Sequence, residues 1–411
     1  MNDNIIIIGA GVAGLTLALA MHSRGMSAKI FESVSRIEPL GVGINIQPYA
    51  TKIFHELGLL DTLISQSIIT KEMIFFNKHG QKIHSSPLGK YANNEYPQIS
   101  IHRGILQQTL LNAVKERLGY DAIITGKKLI NFSQENMHVK ATFINSDNKK
   151  EYFDIKCEAL IGADGIHSRV YETLYPNGPK LKSVGVHMWR GITIAPKFLT
   201  GESMVRVGIP EHGKLVIYPI KDNVNFQGDQ LINWVAEIDS NICKDAFESD
   251  IDSKKYLANF FASRKFDWLD ISNLIEISKE PIISMPMMDR DPLLQWQTGL
   301  ITLIGDAAHP MVPVGSNGAG QAILDAYSLA EMLSKTSKIE DALYYFEQDR
   351  RQYTSNIVLG DRLDLPDRII MEVDKRSNGI PFHDISKIIS NEEAIKFSIP
   401  NYQNQVDAIL Q

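Results

Sequence analysis

The sequence predicts an α/β fold in which a parallel, doubly wound sheet is interrupted by an antiparallel one and followed by helices. Three observations carry that expectation. A β-branched run, Ile5-Ile6-Ile7-Ile8, ends in glycines and leads straight into a helical stretch. From about Ser183 to Ile238 the periodicity changes to short apolar runs separated by Gly, Pro, Asn and Asp. Near Leu300 a strand followed by long helices returns.

Taken in order, Leu15, Leu17, Leu19 and Ala20 lead into a helix that stops near Gly25, and 28–31 is a second strand that closes a strand-helix-strand unit. Ile105, Leu106, Leu110, Leu111, Val114 and Leu118 recur at helical spacing over 104–119, and a strand resumes at 122–125. Ala159-Leu160-Ile161 is another buried strand, ending at Gly162. The runs 186–194, 215–220 and 231–238 form the inserted sheet. A further parallel-type strand at 300–304 precedes a Gly/Pro-rich loop and a helix over 318–333, and an amphipathic helix over 339–363 ends before Pro366.

At ~150 residues per domain, the 411 residues allow two to three domains. With 44% hydrophobic and 22% charged residues the chain can bury a large core. The formal net charge of -6, without long runs of one sign, speaks against nucleic acid as the main partner. Two cysteines, Cys157 and Cys243, make neither a disulfide framework nor a metal cluster, so a cytoplasmic location is expected. The run 5–8 is too short for a signal peptide, and no stretch approaches the ~20 apolar residues of a membrane-spanning helix.

Gly9-Ala10-Gly11-Val12-Ala13-Gly14 fits G-x-G-x-x-G between a strand and a helix, and Glu32 lies 18 residues after Gly14 at the end of the next strand. Such glycines allow a tight turn and close approach of a pyrophosphate to a helix N-terminus, while the acid accepts from a ribose. These residues leave NAD and FAD both open. A second constellation runs through Leu303-Ile304-Gly305-Asp306-Ala307-Ala308-His309-Pro310 to Pro313, Gly315, Asn317, Gly318, Gly320 and Gln321. It is a strand ending on a carboxylate, then a rigid loop whose backbone N–H groups could face an anion or an electron-rich ring. The plainer alternative is a helix cap and a turn. No Ser-His-Asp order with supporting motifs, H-E-x-x-H or Cys/His ligand spacing supports a hydrolase or a metal enzyme, and His309 reads as a loop residue.

With Gly162-Ala163-Asp164-Gly165-Ile166-His167-Ser168 added, nearly the whole chain resembles the class A FAD-dependent aromatic monooxygenases. The resemblance implies a Rossmann-like FAD-binding domain (1–70, 98–182 and 287–335), an inserted antiparallel β-sheet substrate domain (71–97 and 183–286) and a C-terminal helical region (336–411). It assigns to the cofactor Gly9, Gly11, Val12, Ala13, Gly14 and Glu32, then Gly43, Ile44, Arg103, Leu129 and Asp164, and finally Asp306, Pro313, Gly315, Asn317, Gly318 and Ala319. Read alone, Arg103 is a helix-entrance charge; the order of the motifs turns it toward the flavin. One departure stands out: the arginine usual three places after Ser168 is Tyr171 here, with Arg169 two positions earlier. The stretches 41–48, Trp189-Arg190-Gly191, 366–370 and 374–376 look most like the branch of phenazine hydroxylases and salicylate-hydroxylase-like enzymes.

The activity so implied has NADH or NADPH reducing FAD, and a flavin C4a-hydroperoxide delivering oxygen to an electron-rich ring. The chemistry is flavin-centred, with no catalytic side chain assigned; the protein positions the ring and excludes water. Candidate substrate walls are Trp189, Tyr218 and Pro313, with Arg190 for an acidic group, although sheet packing and ion pairing explain the same residues. The expected partners are an aromatic small molecule and dioxygen, without nucleic acid or membrane, in a monomer or homodimer. A flavin-dependent reductase or dehydrogenase and a non-catalytic flavin-binding sensor are the alternatives on the same scaffold.

Overall fold

The computed structural model describes residues 5–135, 137–148, 151–248, 252–363 and 367–399; Pro366 and the end of the 336–411 region lie outside the described residues. Strand Ile5–Ile8, buried throughout, sits inside a six-stranded sheet. The order across that sheet is Gln297–Thr298, Ile301–Leu303, Ala159–Gly162, Ile5–Ile8, Lys29–Phe31, Ile123–Ile124. All neighbours are parallel except the short antiparallel edge pair at 297–303. Helix Val12–His22 is buried from Ala13 to Met21, because helices Arg103–Leu118 and Gly318–Lys335 pack against it. A helix buried on all sides loses its polar face, which explains its nearly unbroken apolar sequence.

The inserted sheet has seven strands: Ile283–Asp289, Lys182–Ala195, Gln230–Asp239, Lys214–Lys221, Ser203–Val207, Glu72–Phe76 and Lys82–Pro87. Its pairing is antiparallel except for Ser203–Val207 beside Glu72–Phe76, which run parallel. The sheet therefore joins two distant stretches of chain, and its edge strand continues past residue 286 to Asp289. One face carries Trp189, Ile217 and Trp234 onto Leu257, Ile271 and Leu274 of helices Ser253–Phe260 and Ile271–Glu276. The other face, with Met188, Val216 and Val235, turns toward Val312 and Val314.

A three-stranded antiparallel sheet, Lys127–Glu135, His138–Asn145 and Tyr152–Cys157, was not expected from the sequence. Only its inner face, with Leu129, Val139, Ala141 and Phe143, is covered, and the alternation of apolar and polar residues along 138–145 is the strand signal this leaves in the sequence. Phe143 stacks on Phe31 at 4.5 Å and fastens this sheet to the first. At the C-terminal end, Ile369, Ile370 and Val373 of helix Arg368–Arg376 pack on Phe75 and Ile83 of the inserted sheet. Among the described residues no helix is long and apolar enough to cross a membrane, and no His/Cys/Asp/Glu cluster fits a metal ion. Cys157 and Cys243 are both buried free thiols.

Candidate active site

The three glycines of the first turn do three different things. Gly9 has φ +104°, and a Cβ there would stand 2.5 Å from the Ala163 carbonyl oxygen. A Cβ on Gly14 would come within 2.1 Å of the Gly9 carbonyl oxygen, so helix and turn touch directly. Gly11, by contrast, would meet nothing within 4 Å: it lines a cavity of about 300 Å³. Gly9 and Gly14 lie outside that lining and shape the backbone that presents Gly11, Val12 and Ala13 to it.

Two helices begin at this cavity. Val12–His22 starts after Gly11, and Gly318–Lys335 starts after Asn317, and neither has a side-chain cap. Gly11, Val12, Ala13, Gly318 and Ala319 line the space, so two sets of helix N-terminal N–H groups converge on it. Such a pair suits a dinucleotide pyrophosphate, and the open ground at Gly11 leaves room for it. Arg103 and Asp306 line the same space, and neither side chain has a hydrogen bond or ion pair to another described residue. Protein surrounds Asp306 although its carboxylate opens on the cavity; burial pushes its pKa up, opposed by the nearby His309 and Arg103 charges. Pro313, Gly43 and Ile44 complete this side.

The turn that carries Asp306 rests on a buried ion network. Asp325 accepts from the Gly305 N–H at 2.9 Å, meets His309 Nε2 at 2.5 Å and pairs with Arg350 Nε at 3.0 Å. Burial alone would raise the Asp325 pKa, but His309 and Arg350 more than offset it and hold it below the ordinary value. His309 is thus structural, as its sequence context suggested.

The far wall is the inserted sheet, and its register sets out the side chains in rows. Arg190 pairs with Val235, Val235 with Val216, and Val216 with Arg206. All four line the cavity, with Tyr218 and Met204 in the next row and Met188 and Glu237 in the previous one. Arg190 donates to the Gly43 carbonyl at 2.9 Å. Arg206 bonds Asp367 at 3.0 Å and the Val314 carbonyl at 2.5 Å, which ties sheet, C-terminal region and the Pro313 turn together. Burial pushes the Tyr218 hydroxyl up to about 12, against the pull of Arg190.

Trp189 corrects an expectation. Side chains alternate along a strand, so Met188 and Arg190 face the cavity while Trp189, fully buried, points the other way onto Tyr256. It is a core residue of the sheet-helix layer, not a substrate wall. Leu129 is likewise core, paired with Phe143 and absent from the lining. Gly315 and Asn317 are absent from the lining, Asn317 accepting from Tyr49 at 3.4 Å. Glu32 is not in the lining; its carboxylate bonds Ala10 N at 2.8 Å and Val34 N at 3.0 Å, beside the first turn.

Asp164 also stands outside the cavity, although Ala163 and Gly165 line it. Its oxygens accept from Ser168 Oγ at 2.5 Å and from the Arg169 and Val170 N–H groups at 2.7 and 3.2 Å, closing the turn before helix Arg169–Leu174. Sequence reasoning missed Arg206, Glu237, Met188, Met204, Val216 and Val235; strand alternation outward from Arg190 is the signal that could have found some of them.

Comparison with known proteins identifies the family. A family model described as FAD binding domain matches residues 3–359. The chain is 40% identical over 363 residues to a phenazine 1,6-dicarboxylic acid hydroxylase, PhzS, of Lysobacter antibioticus, covering 87% of this chain and 89% of that one. It is 29% identical over 366 residues to an aurachin C monooxygenase/isomerase of Stigmatella aurantiaca, covering 87% of each. In fold it resembles Klebsiella pneumoniae HpxO complexed with FAD and uric acid, with a TM-score of 0.75, 18% identity and coverage of 99% and 95%.

Proposed function

The chain belongs to the class A FAD-dependent aromatic monooxygenases, and from that premise we propose that its substrate is a fused-ring aromatic acid. The ring system lies on Val216 and Val235, with Arg190 and Arg206 at either end. One observation carries this reading. The two arginines close a row of four cavity residues on adjacent strands, so their Cα atoms stand about 14 Å apart, three spacings of about 4.8 Å. An apolar floor with Arg190 at one end, and Arg206 paired with Asp367 at the other, suits a flat ring bearing a carboxylate at the Arg190 end, the chemistry named for the phenazine dicarboxylate relative.

In the same proposal the two uncapped helix starts hold the FAD pyrophosphate and Glu32 the adenosine ribose. Arg103, Asp306 and the turn from Pro313 to Ala319 then border the flavin side. When bound, FAD supplies electron transfer from NADH or NADPH and activation of dioxygen. The protein's own part is to orient and to dry. Met188, Met204, Val216 and Val235 exclude water from the ring, and the Tyr218 hydroxyl stays protonated at working pH and donates.

The division into a FAD-binding part (1–70, 98–182, 287–335), a sheet part (71–97, 183–286) and a helical region (336–411) belongs to this proposal. So do a cytoplasmic location, which the two free buried thiols favour, and a monomeric or homodimeric state. The test is a titration of the yellow holoprotein with phenazine-1-carboxylic acid. Saturable perturbation of the flavin absorbance, weakened at least tenfold in Arg190→Met, is expected; equal binding of uncharged phenazine would overturn the acid assignment.

A further inference from the structure

Resting on the aromatic-acid reading above, we propose that Glu237 is a substrate-contacting residue that accepts a hydrogen bond from an O–H or N–H group on the ring. Glu237 lines the cavity one row from Arg190 and Val235, on the same face of the sheet. Along a strand that row lies roughly 7 Å away, which places the carboxylate beside the ring rather than at its acidic end.

The carboxylate is half committed. Its Oε2 meets Lys214 Nζ at 2.7 Å, while Oε1 has no hydrogen bond or ion pair to any described residue. The residue is 4% exposed, and what it is exposed to is the cavity. Lys214, only 1% exposed, also contacts Asp367 at 2.5 Å, and Asp367 in turn holds Arg206. The sheet therefore buries a chain of four charges, Glu237, Lys214, Asp367 and Arg206, whose two ends both open on the cavity. Burying ions this way is costly before pairing, and a hydrophobic floor would serve packing as well. With Glu237 one row from Arg190, the same wall offers an acceptor and a cation to a ligand that carries both a donor and an acid.

Ring donors also matter for reactivity. A hydroxyl or amino group that shares its proton with a carboxylate gives more electron density to the ring, which favours attack by an electrophilic oxygen donor. The substrate class that follows is an aromatic acid bearing a hydroxyl, an amino group or a ring N–H, and its methyl ether or N-methyl analogue is the poor substrate.

The test compares hydroxynaphthoic acids with their methyl ethers on the FAD holoenzyme, reading both the binding-induced change in flavin absorbance and kcat/KM for NAD(P)H oxidation. Wild type is expected to prefer at least one hydroxy acid over its ether by tenfold or more, and Glu237→Gln to compress that preference below threefold. If hydroxy acid and ether are handled alike by wild type, or if Glu237→Gln lowers both by the same factor, Glu237 is structural and the inference fails while the acid reading stands. Should no naphthoic acid perturb the flavin at all, the acid reading fails first and takes the inference with it. Where Glu237→Gln does not fold, Glu237→Asp, which keeps the charge and shortens the reach, reads the same ratio: a preference compressed below threefold supports the inference, and an unchanged preference overturns it.

Discussion

Arg290 lies over the ring of Tyr171, its guanidinium carbon 3.6 Å from the ring centroid. The same guanidinium donates to the Ile166 and Ala307 carbonyls, each at 3.2 Å. It thereby clamps the Asp164 turn to the Asp306 turn, with its planar face satisfied by the aromatic ring. An arginine from the end of the inserted sheet thus occupies the seam between the two turns.

Arg290→Met should loosen both turns at once. Two bonds from a charged donor, one buried and one half-buried, are lost, each worth about 1.5–3 kcal/mol at most, and thermal unfolding should shift down accordingly. Flavin release on gel filtration should rise with it. A variant of wild-type stability that keeps its flavin would show that the clamp does nothing.

Two of the three glycines of the first turn, Gly11 and Gly14, separate folding from cofactor binding. Gly14→Ala forces a Cβ against the Gly9 carbonyl and should cost about 2 kcal/mol or more in urea unfolding of the apoprotein. Gly11→Ala meets no protein atom and should stay within about 1 kcal/mol of wild type, yet bind FAD at least tenfold more weakly. Parallel losses in both variants would contradict the division of roles.

Asp306 should trade stability for binding. Its folded-state pKa is raised by burial, so the native apoprotein binds the extra proton, and stability falls as pH rises from the ordinary carboxylate value through the raised one. Asp306→Asn is therefore expected to make the apoprotein at least as stable as wild type at pH 7 while weakening FAD binding. Fluorescence titration with FAD and urea unfolding, on the same preparation, read the two effects separately.

Asp325 works in the opposite sense. Its folded-state pKa lies below the ordinary 3.8, so its contribution is intact above that value and is lost as pH falls through the depressed one. Asp325→Asn leaves His309 and Arg350 buried without their counter-charge and should cost about 3–5 kcal/mol at pH 7. The loss should shrink in unfolding measurements made below the depressed value.

These cases also show what the sequence could carry. Gly9 and Gly14 were legible because a backbone that tolerates no Cβ leaves its mark on residue type, and Gly11 because it completes their spacing. The strands of the first sheet were legible because burial on both faces writes an unbroken apolar run, as in Ile5 to Ile8. The direction of Trp189 was not, because Lys182–Ala195 is covered on both faces and no polar alternation reveals which side meets the cavity. Arg206, Lys214, Glu237 and Asp367 were hidden for another reason. Each is an ordinary charged residue in its local context, and only the docking of Asp367, at the start of helix Arg368–Arg376, onto the strands that carry Arg206, Lys214 and Glu237 gathers the four.

The central claim is an oxygenase whose cavity takes a fused aromatic acid between Arg190 and Arg206, and isotope-labelled dioxygen tests it most directly. Holoenzyme, NAD(P)H and phenazine-1-carboxylic acid under labelled dioxygen should give a product carrying one labelled oxygen atom per NAD(P)H consumed in coupled turnover. The Arg190→Met enzyme should lose most of that product. Acid-stimulated NAD(P)H oxidation that yields only unlabelled product, or no stimulation by the acid at all, would contradict the account.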